Sequence, residues 1–111
     1  MDILEFAKSD LLAKGFIDQN LLAMGTRAHK TFHPQFLLFG IKGGALMVMP
    51  IINIQTFKYN EVRYYPKESL EIKMSGFTQI LNIRYPDGTL LKYGITQNRP
   101  EIHQIVDMLN S

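Results

Sequence analysis

Between Gln35 and Thr56 the chain carries a single ionised side chain, Lys42. The glycines of Lys42-Gly43-Gly44 mark a tight turn, because glycine reaches positive φ without steric cost. Phe36 to Met49 therefore reads as a β-hairpin. Along it Leu37, Phe39, Leu46 and Val48 face opposite to Leu38, Gly40, Met47 and Met49. A half-exposed antiparallel strand alternates apolar with polar residues, and Gln35, Asn53 and Gln55 supply little of that alternation. Both faces of this hairpin need covering. One face belongs to a β-core; the other meets either a helix at Ile3 to Lys14 or a second subunit. The second option predicts self-association, since strands bordering an incompletely closed barrel invite pairing with another chain.

The rest of the chain supplies the partners. Leu4, Ala7 and Leu11 recur at helical spacing, with Lys8, Asp10 and Lys14 assigned to the polar side and Gly15 as the stop. Leu22 to Ala28 alternates as a strand, and Pro34 breaks the run after it. Further strands are expected from Ala45 to Met49, from Ile54 to Tyr59, over Leu70 to Met74, over Phe77 to Tyr85, and through Leu91, Tyr93 and Ile95. Pro66 to Ser69 reads as a loop. Ser75-Gly76 and Pro86-Asp87-Gly88-Thr89 read as turns, the latter strongly. A helix closes the chain. Asn98 is placed to cap it, Pro100 lies in its first turn, and Glu101 stands three residues after the cap, the capping-box spacing. Ile102, Ile105, Val106 and Leu109 form one apolar stripe that must cover something.

These elements predict a mainly β single domain over residues 1–111. It comprises an N-terminal helix at 1–15, a barrel of about seven antiparallel strands over 21–96, and a capping C-terminal α-helix at 98–110. A chain of 111 residues buries a real core without staples. The absence of cysteine excludes thiol catalysis, iron–sulfur clusters and cysteine-based zinc sites. Asp2 and Glu5 are wrong for the basic start of a signal peptide. The apolar run from Ala45 to Ile52 is far short of the ~20 residues of a membrane helix. A cytoplasmic location is expected. The net charge of +2 is too mild to argue for nucleic acid.

No catalytic constellation stands out. His29 and His33 would share a face of a continuous strand and could begin a metal site, but Pro34 makes that continuity doubtful and no acidic residue is near. Two exposed loop histidines are the plainer reading, and no metal or cofactor is expected. His103 reads as a helix residue beside the apolar stripe. No serine lies in a Gly-x-Ser-x-Gly elbow, and Gly40-x-x-Gly43-Gly44 lacks the Lys-Ser/Thr of a phosphate loop. What remains is a locally basic middle: Arg27, Lys30, Lys42 and Lys58 fall in a stretch without Asp or Glu between Asp18 and Glu61. Beside it Tyr59, Tyr64 and Tyr65 cluster with Arg63. Aromatics interleaved with cations either stack on nucleobases or anchor a peptide, or they pack the core and corner of a barrel. These eight residues are the candidate binding set.

The succession Phe57-Lys58-Tyr59-Asn60-Glu61-Val62, Leu70-Glu71-Ile72, Phe77-Thr78-Gln79-Ile80-Leu81, Asp87-Gly88-Thr89 and the helix Ile102 to Leu109 resembles bacterial pleckstrin-homology-like (GRAM-like) domains. The likeness covers Leu22 to Leu109 and implies a PH-like barrel closed by its helix. Lipid-binding members carry basic residues on the second strand. Phe36 to Ile41 carries none, so phosphoinositide recognition is not implied. The function expected is a non-catalytic interaction domain, protein-binding or self-assembling. An anionic-ligand or membrane-surface module is the alternative, and a small-molecule-binding barrel or enzyme the third reading.

Overall fold

A computed structural model describes residues 3–27, 35–53, 55–56, 58–59, 61–75 and 79–111. Helix α1 (Ile3–Lys14) leads into strands β1 (Ala23–Arg27), β2 (Gln35–Lys42), β3 (Ala45–Asn53), β4 (Lys58–Tyr59) and β5 (Arg63–Pro66). One turn of 3-10 helix (Lys67–Ser69) precedes β6 (Glu71–Met74), β7 (Ile80–Arg84), β8 (Leu90–Gln97) and helix α2 (Arg99–Leu109). All strands pair antiparallel in the order β4-β3-β2-β1-β8-β7-β6, with β5 also on β3.

The hairpin at the centre of the sequence forms as its residues dictate. Lys42 pairs with Ala45 across a two-residue loop, and Gly43 and Gly44 have φ of 58° and 74°, the sign that a type I′ turn needs at both positions. β3 runs longer than expected, through Pro50 to Asn53. Proline is tolerated because it lies where the neighbour on β3's far side changes: β5 pairs as far as Val48, and β4 begins at Ile51. The expected strand from Ile54 to Tyr59 shrinks accordingly to β4. Asn53 Oδ1 accepts from the backbone N–H of Gln55 and Thr56, a side-chain turn that ends β3 before a new strand can start. Ile54 and Phe57 lie outside the described residues, as do Gly76, Phe77 and Thr78.

Strand parity divides the apolar residues into two cores. The inner face of the sheet presents Ala23, Leu37, Phe39, Leu46, Val48, Ile72, Leu81, Ile83, Tyr93 and Ile95, and the stripe of α2 completes that cluster. The outer face of β1 to β3 presents Met24, Leu38, Met47, Met49 and Ile51, and α1 lies over it with Leu4, Ala7 and Leu11. The second covering of the hairpin is therefore the chain's own N-terminal helix.

Two close approaches depend on missing Cβ atoms. A Cβ on Gly25 would stand 3.1 Å from Gly94 O and 3.2 Å from the Phe39 ring. One on Gly40 would stand 2.7 Å from Ile17 Cγ2, where the segment after α1 crosses the hairpin. Each glycine lets a neighbour lie flat on the sheet.

The sheet is open rather than a closed barrel. Among the described residues no ladder joins β6 to β4 or β5. Side chains bridge the opening instead. Tyr65 of β5 and Tyr85 after β7 meet edge-on with ring centroids 4.9 Å apart, although five strand steps of about 4.8 Å separate their strands along the sheet. At the other end the C-terminus of α2 blunts the edge: Asn110 Nδ2 donates to Ile72 O at 2.9 Å, and Lys67 Nζ donates to Ser111 O at 3.0 Å. An unpaired edge covered in this way is a poor template for further strands.

A polar network joins the two helices. Lys8, assigned to the polar face of α1, is instead only 9% exposed and reaches Glu101 Oε1 at 3.0 Å, with Glu5 at 3.4 Å. The bond to Glu101 holds the Lys8 ammonium above the usual lysine pKa. Asn98 occupies the cap position of α2 but does not cap it through its side-chain oxygen. Its backbone is left-handed (φ 58°, ψ 50°), and its amide donates both to Leu22 O at 2.9 Å and to Glu101 Oε2. Glu101 thus serves as a hub between α1, α2 and the start of β1.

Candidate functional site: a tyrosine and arginine pocket

The parity that places Ala23 and Gly25 on the inner face also turns Arg27 inward at the far end of β1. On β5, Arg63 pairs with Val48 and Tyr65 with Leu46, so both also face inward. The stripe of α2 fills the inner face near the start of β1, where Asn98 holds Leu22. Arg27 lies four residues further, about 13 Å along an extended strand, where α2 no longer covers the sheet.

A pocket of about 460 Å³ opens there, within the roughly 300–1,000 Å³ usual for small-ligand sites. Its apolar walls are Leu37, Val48, Pro50 and Leu91; Tyr65, Tyr85 and Tyr93 supply the aromatic surface. Arg27, Arg63 and Gln35 line it from one side, and the β7–β8 turn contributes Pro86, Asp87 and Thr89.

The tyrosines form a connected unit. Tyr85 Oη and Tyr93 Oη are 2.7 Å apart, and Phe39 meets the Tyr93 ring edge-on at 5.2 Å from below. Two hydroxyls hold two protons and their mutual bond uses one, so the pair keeps a proton to offer. Burial raises the pKa of both phenols above the ordinary tyrosine value; the bond to Tyr93 adds to the rise at Tyr85. The Tyr65 hydroxyl, and after it the Glu61 carboxylate, hold the Arg63 pKa above its ordinary value. Among the described residues no carboxylate lies within 4.0 Å of Arg27 or Arg63, and the Glu61 carboxylate acts on Arg63 from further away. Asp87 is occupied locally: its Oδ1 accepts from the Thr89 N–H at 2.9 Å, which lowers its pKa and keeps it ionised. Gly88, at φ 89°, closes the turn that holds it.

The eight candidate residues divide sharply. Arg27, Arg63 and Tyr65 converge on the pocket. Lys42 and Tyr64 face away from it and fasten the end of α1 to the hairpin. Lys42 Nζ donates to Gly15 O and lies 6.0 Å from the Tyr64 ring centroid, while Tyr64 Oη donates to Phe16 O at 2.8 Å. Tyr59 packs edge-on against Phe16 at 5.7 Å. Lys58 is exposed on β4. Lys30 lies outside the described residues, with His29 and His33. His103 is exposed and faces Gln79 Oε1 at 3.4 Å. Among the described residues no three potential metal ligands come together. No helix there is long and apolar enough to cross a membrane.

Sequence reasoning passed over Gln35, Tyr85, Tyr93 and the Asp87 turn as pocket residues. A signal existed for both tyrosines: Tyr93 falls on the inward parity of β8, and Tyr85, read as the end of a strand from Phe77, follows β7, which stops at Arg84, on the same parity. Nothing in the sequence showed that β5 and the end of β7 would meet. No protein-family model, curated protein or solved structure matches this chain.

The two phenols set an alkaline limit. An unfolded tyrosine titrates near 10.0 and both folded ones titrate higher. Their stabilising contribution is complete below pH 10 and is lost as pH rises through the folded values. Lys8, raised from 10.5, acts in the same direction. The melting temperature is therefore expected to fall once pH exceeds about 10, in step with tyrosinate absorbance. Tyr85→Phe should make that fall shallower; an unchanged pH profile in this variant would show that the pair does not control it.

Proposed function

We propose that this chain is a non-catalytic binding domain that takes an anionic group into the pocket between β1, β2, β3, β5 and β8. The observation that carries this reading is the convergence of Arg27 and Arg63, neither in a close ion pair among the described residues, on a pocket walled largely by apolar and aromatic side chains. Arg27 is half-buried and Arg63 exposed, so both guanidinium groups can meet an anion at the mouth of the pocket. The surrounding groups offer mostly donors: two guanidinium forks and the spare phenolic proton.

A PH-like arrangement in open form is part of the same proposal. What supports it is an antiparallel sheet with β1 between β2 and β8 and a C-terminal helix laid on the inner face. Protein binding or self-assembly through the hairpin's outer face has less support, because α1 occupies that face and buries Leu38, Met47 and Met49.

A thermal-shift panel of small anions and their uncharged counterparts tests the reading. Ligands that bind only the folded state raise the melting temperature by mass action. Anions should raise it, their neutral counterparts should not, and Arg27→Met with Arg63→Met should remove the response. Equal response to charged and neutral members, or none to either, refutes the proposal.

A further inference from the structure

We infer that the ligand of this pocket is a small, singly charged acid with a flat apolar body, an aromatic carboxylate, rather than a phosphorylated headgroup. This inference rests on the anion-binding reading above and narrows it. Three features of the pocket point the same way.

The first is charge. Arg27 and Arg63 bring two positive charges to the lining, and Asp87, held ionised by its bond from Thr89, returns one negative charge. Glu61 acts on Arg63 from outside the lining, so the net positive charge at the pocket is one at most, which suits a singly charged acid. A multiply phosphorylated group needs several cations. The next candidates are elsewhere: Lys42 is bonded to Gly15 O outside the pocket, and Lys58 does not line it.

The second is the wall. Leu37, Val48, Pro50 and Leu91 offer only hydrocarbon, which rewards an apolar body and gives nothing to a hydrated headgroup. The Tyr65 and Tyr85 rings, in edge-to-face contact with each other at 63°, add aromatic surface against which a flat ring can pack.

The third is the donor set. A guanidinium fork matches both oxygens of a carboxylate at once, and the Tyr85–Tyr93 pair has one neutral donor left. Together they recognise a planar acid end, while the hydrocarbon wall receives the rest.

Isothermal titration of the full chain with naphthoate, with uncharged naphthamide, with inorganic phosphate and with phosphoinositide-containing vesicles tests this. Naphthoate should bind and the other three should not, or should bind at least about tenfold more weakly. Arg27→Met and Arg63→Met should each weaken naphthoate about tenfold. Lys73→Met, on the outward parity of β6, should leave it unchanged. Should Arg27→Met fail to fold, Arg27→Lys keeps the charge, loses the fork, and should still weaken binding several-fold. Phosphate or vesicles binding through the arginines while naphthoate does not would overturn the ligand class and leave the anion reading standing. Naphthamide binding as tightly as naphthoate, indifferent to both arginines, would overturn both.

Discussion

Removal of Glu101 to Ser111 is expected to abolish the cooperative melt of this protein. Ile102 and Ile105 are fully covered, and Val106 and Leu109 are 7% and 5% exposed. Four such side chains contribute about 1.5–3 kcal/mol each when buried, a sum comparable to the whole stability of a typical domain, about 5–15 kcal/mol. The loss does not end with the helix. Leu81 and Ile83 of β7 and Ile72 of β6 would face water, and the edge of β6 would lose Asn110 from the Ile72 carbonyl. A collapsed state with secondary structure but no fixed packing is the expected product. Differential scanning calorimetry decides: a truncated chain melting cooperatively near the full-length temperature would show that α2 is dispensable. A milder variant, Ile105→Ala, should cost about 2–5 kcal/mol and leave the transition cooperative.

Deleting residues 1–15 should produce a different failure. That segment carries Leu4, Ala7 and Leu11, which cover Leu38, Met47, Met49 and Met24 on the outer face of the hairpin. The inner core would stay intact, so the sheet should persist while presenting a broad apolar surface. Such a surface drives association. Light scattering after size exclusion should give a monomer mass for the full chain and dimers or larger species for the truncated one. A truncated chain that remains monomeric and stable would mean that α1 is not the hairpin's cover. The attachment itself can be weakened at one residue. Lys8→Met breaks the ion pair with Glu101, whose two side chains are 11% and 19% exposed, and should cost about 2–3 kcal/mol. A double variant with Glu101→Met should cost less than the two single changes added, because neither charge is then left without its partner.

The sequence by itself determined most of the local structure and both layers of the core. Glycine pairs, the Pro-Asp-Gly turn and alternation of period two place the hairpins. The helical stripes place α1 and α2. The charge-poor stretch from Gln35 to Thr56 demands a cover on each side. Those are short-range consequences of backbone sterics and of keeping hydrocarbon from water, and they act within a few residues. What failed locally failed for reasons outside the segment. The strand expected from Ala45 to Met49 stops before Pro50, yet β3 continues through it because the neighbouring strands change there. Lys8 reads as solvent-facing by helical spacing, yet a carboxylate 93 residues away covers it.

The candidate site was legible only in part. Arg27, Arg63 and Tyr65 were recognisable as members of a basic and aromatic set, and so were Lys42, Tyr64 and Tyr59, which proved to fasten α1. Composition treats these six alike. Parity separates Tyr65 from Tyr64 by one residue, which is enough to send one ring into the pocket and the other to Phe16. Which surface each parity meets was decided by the tertiary structure, because only the curl of the sheet brings β5 to the end of β7. That curl sums small twists over many strands, and no segment of the chain records it alone. The pocket is the gap left where the sheet fails to close, lined by whatever side chains the inward parity delivers there.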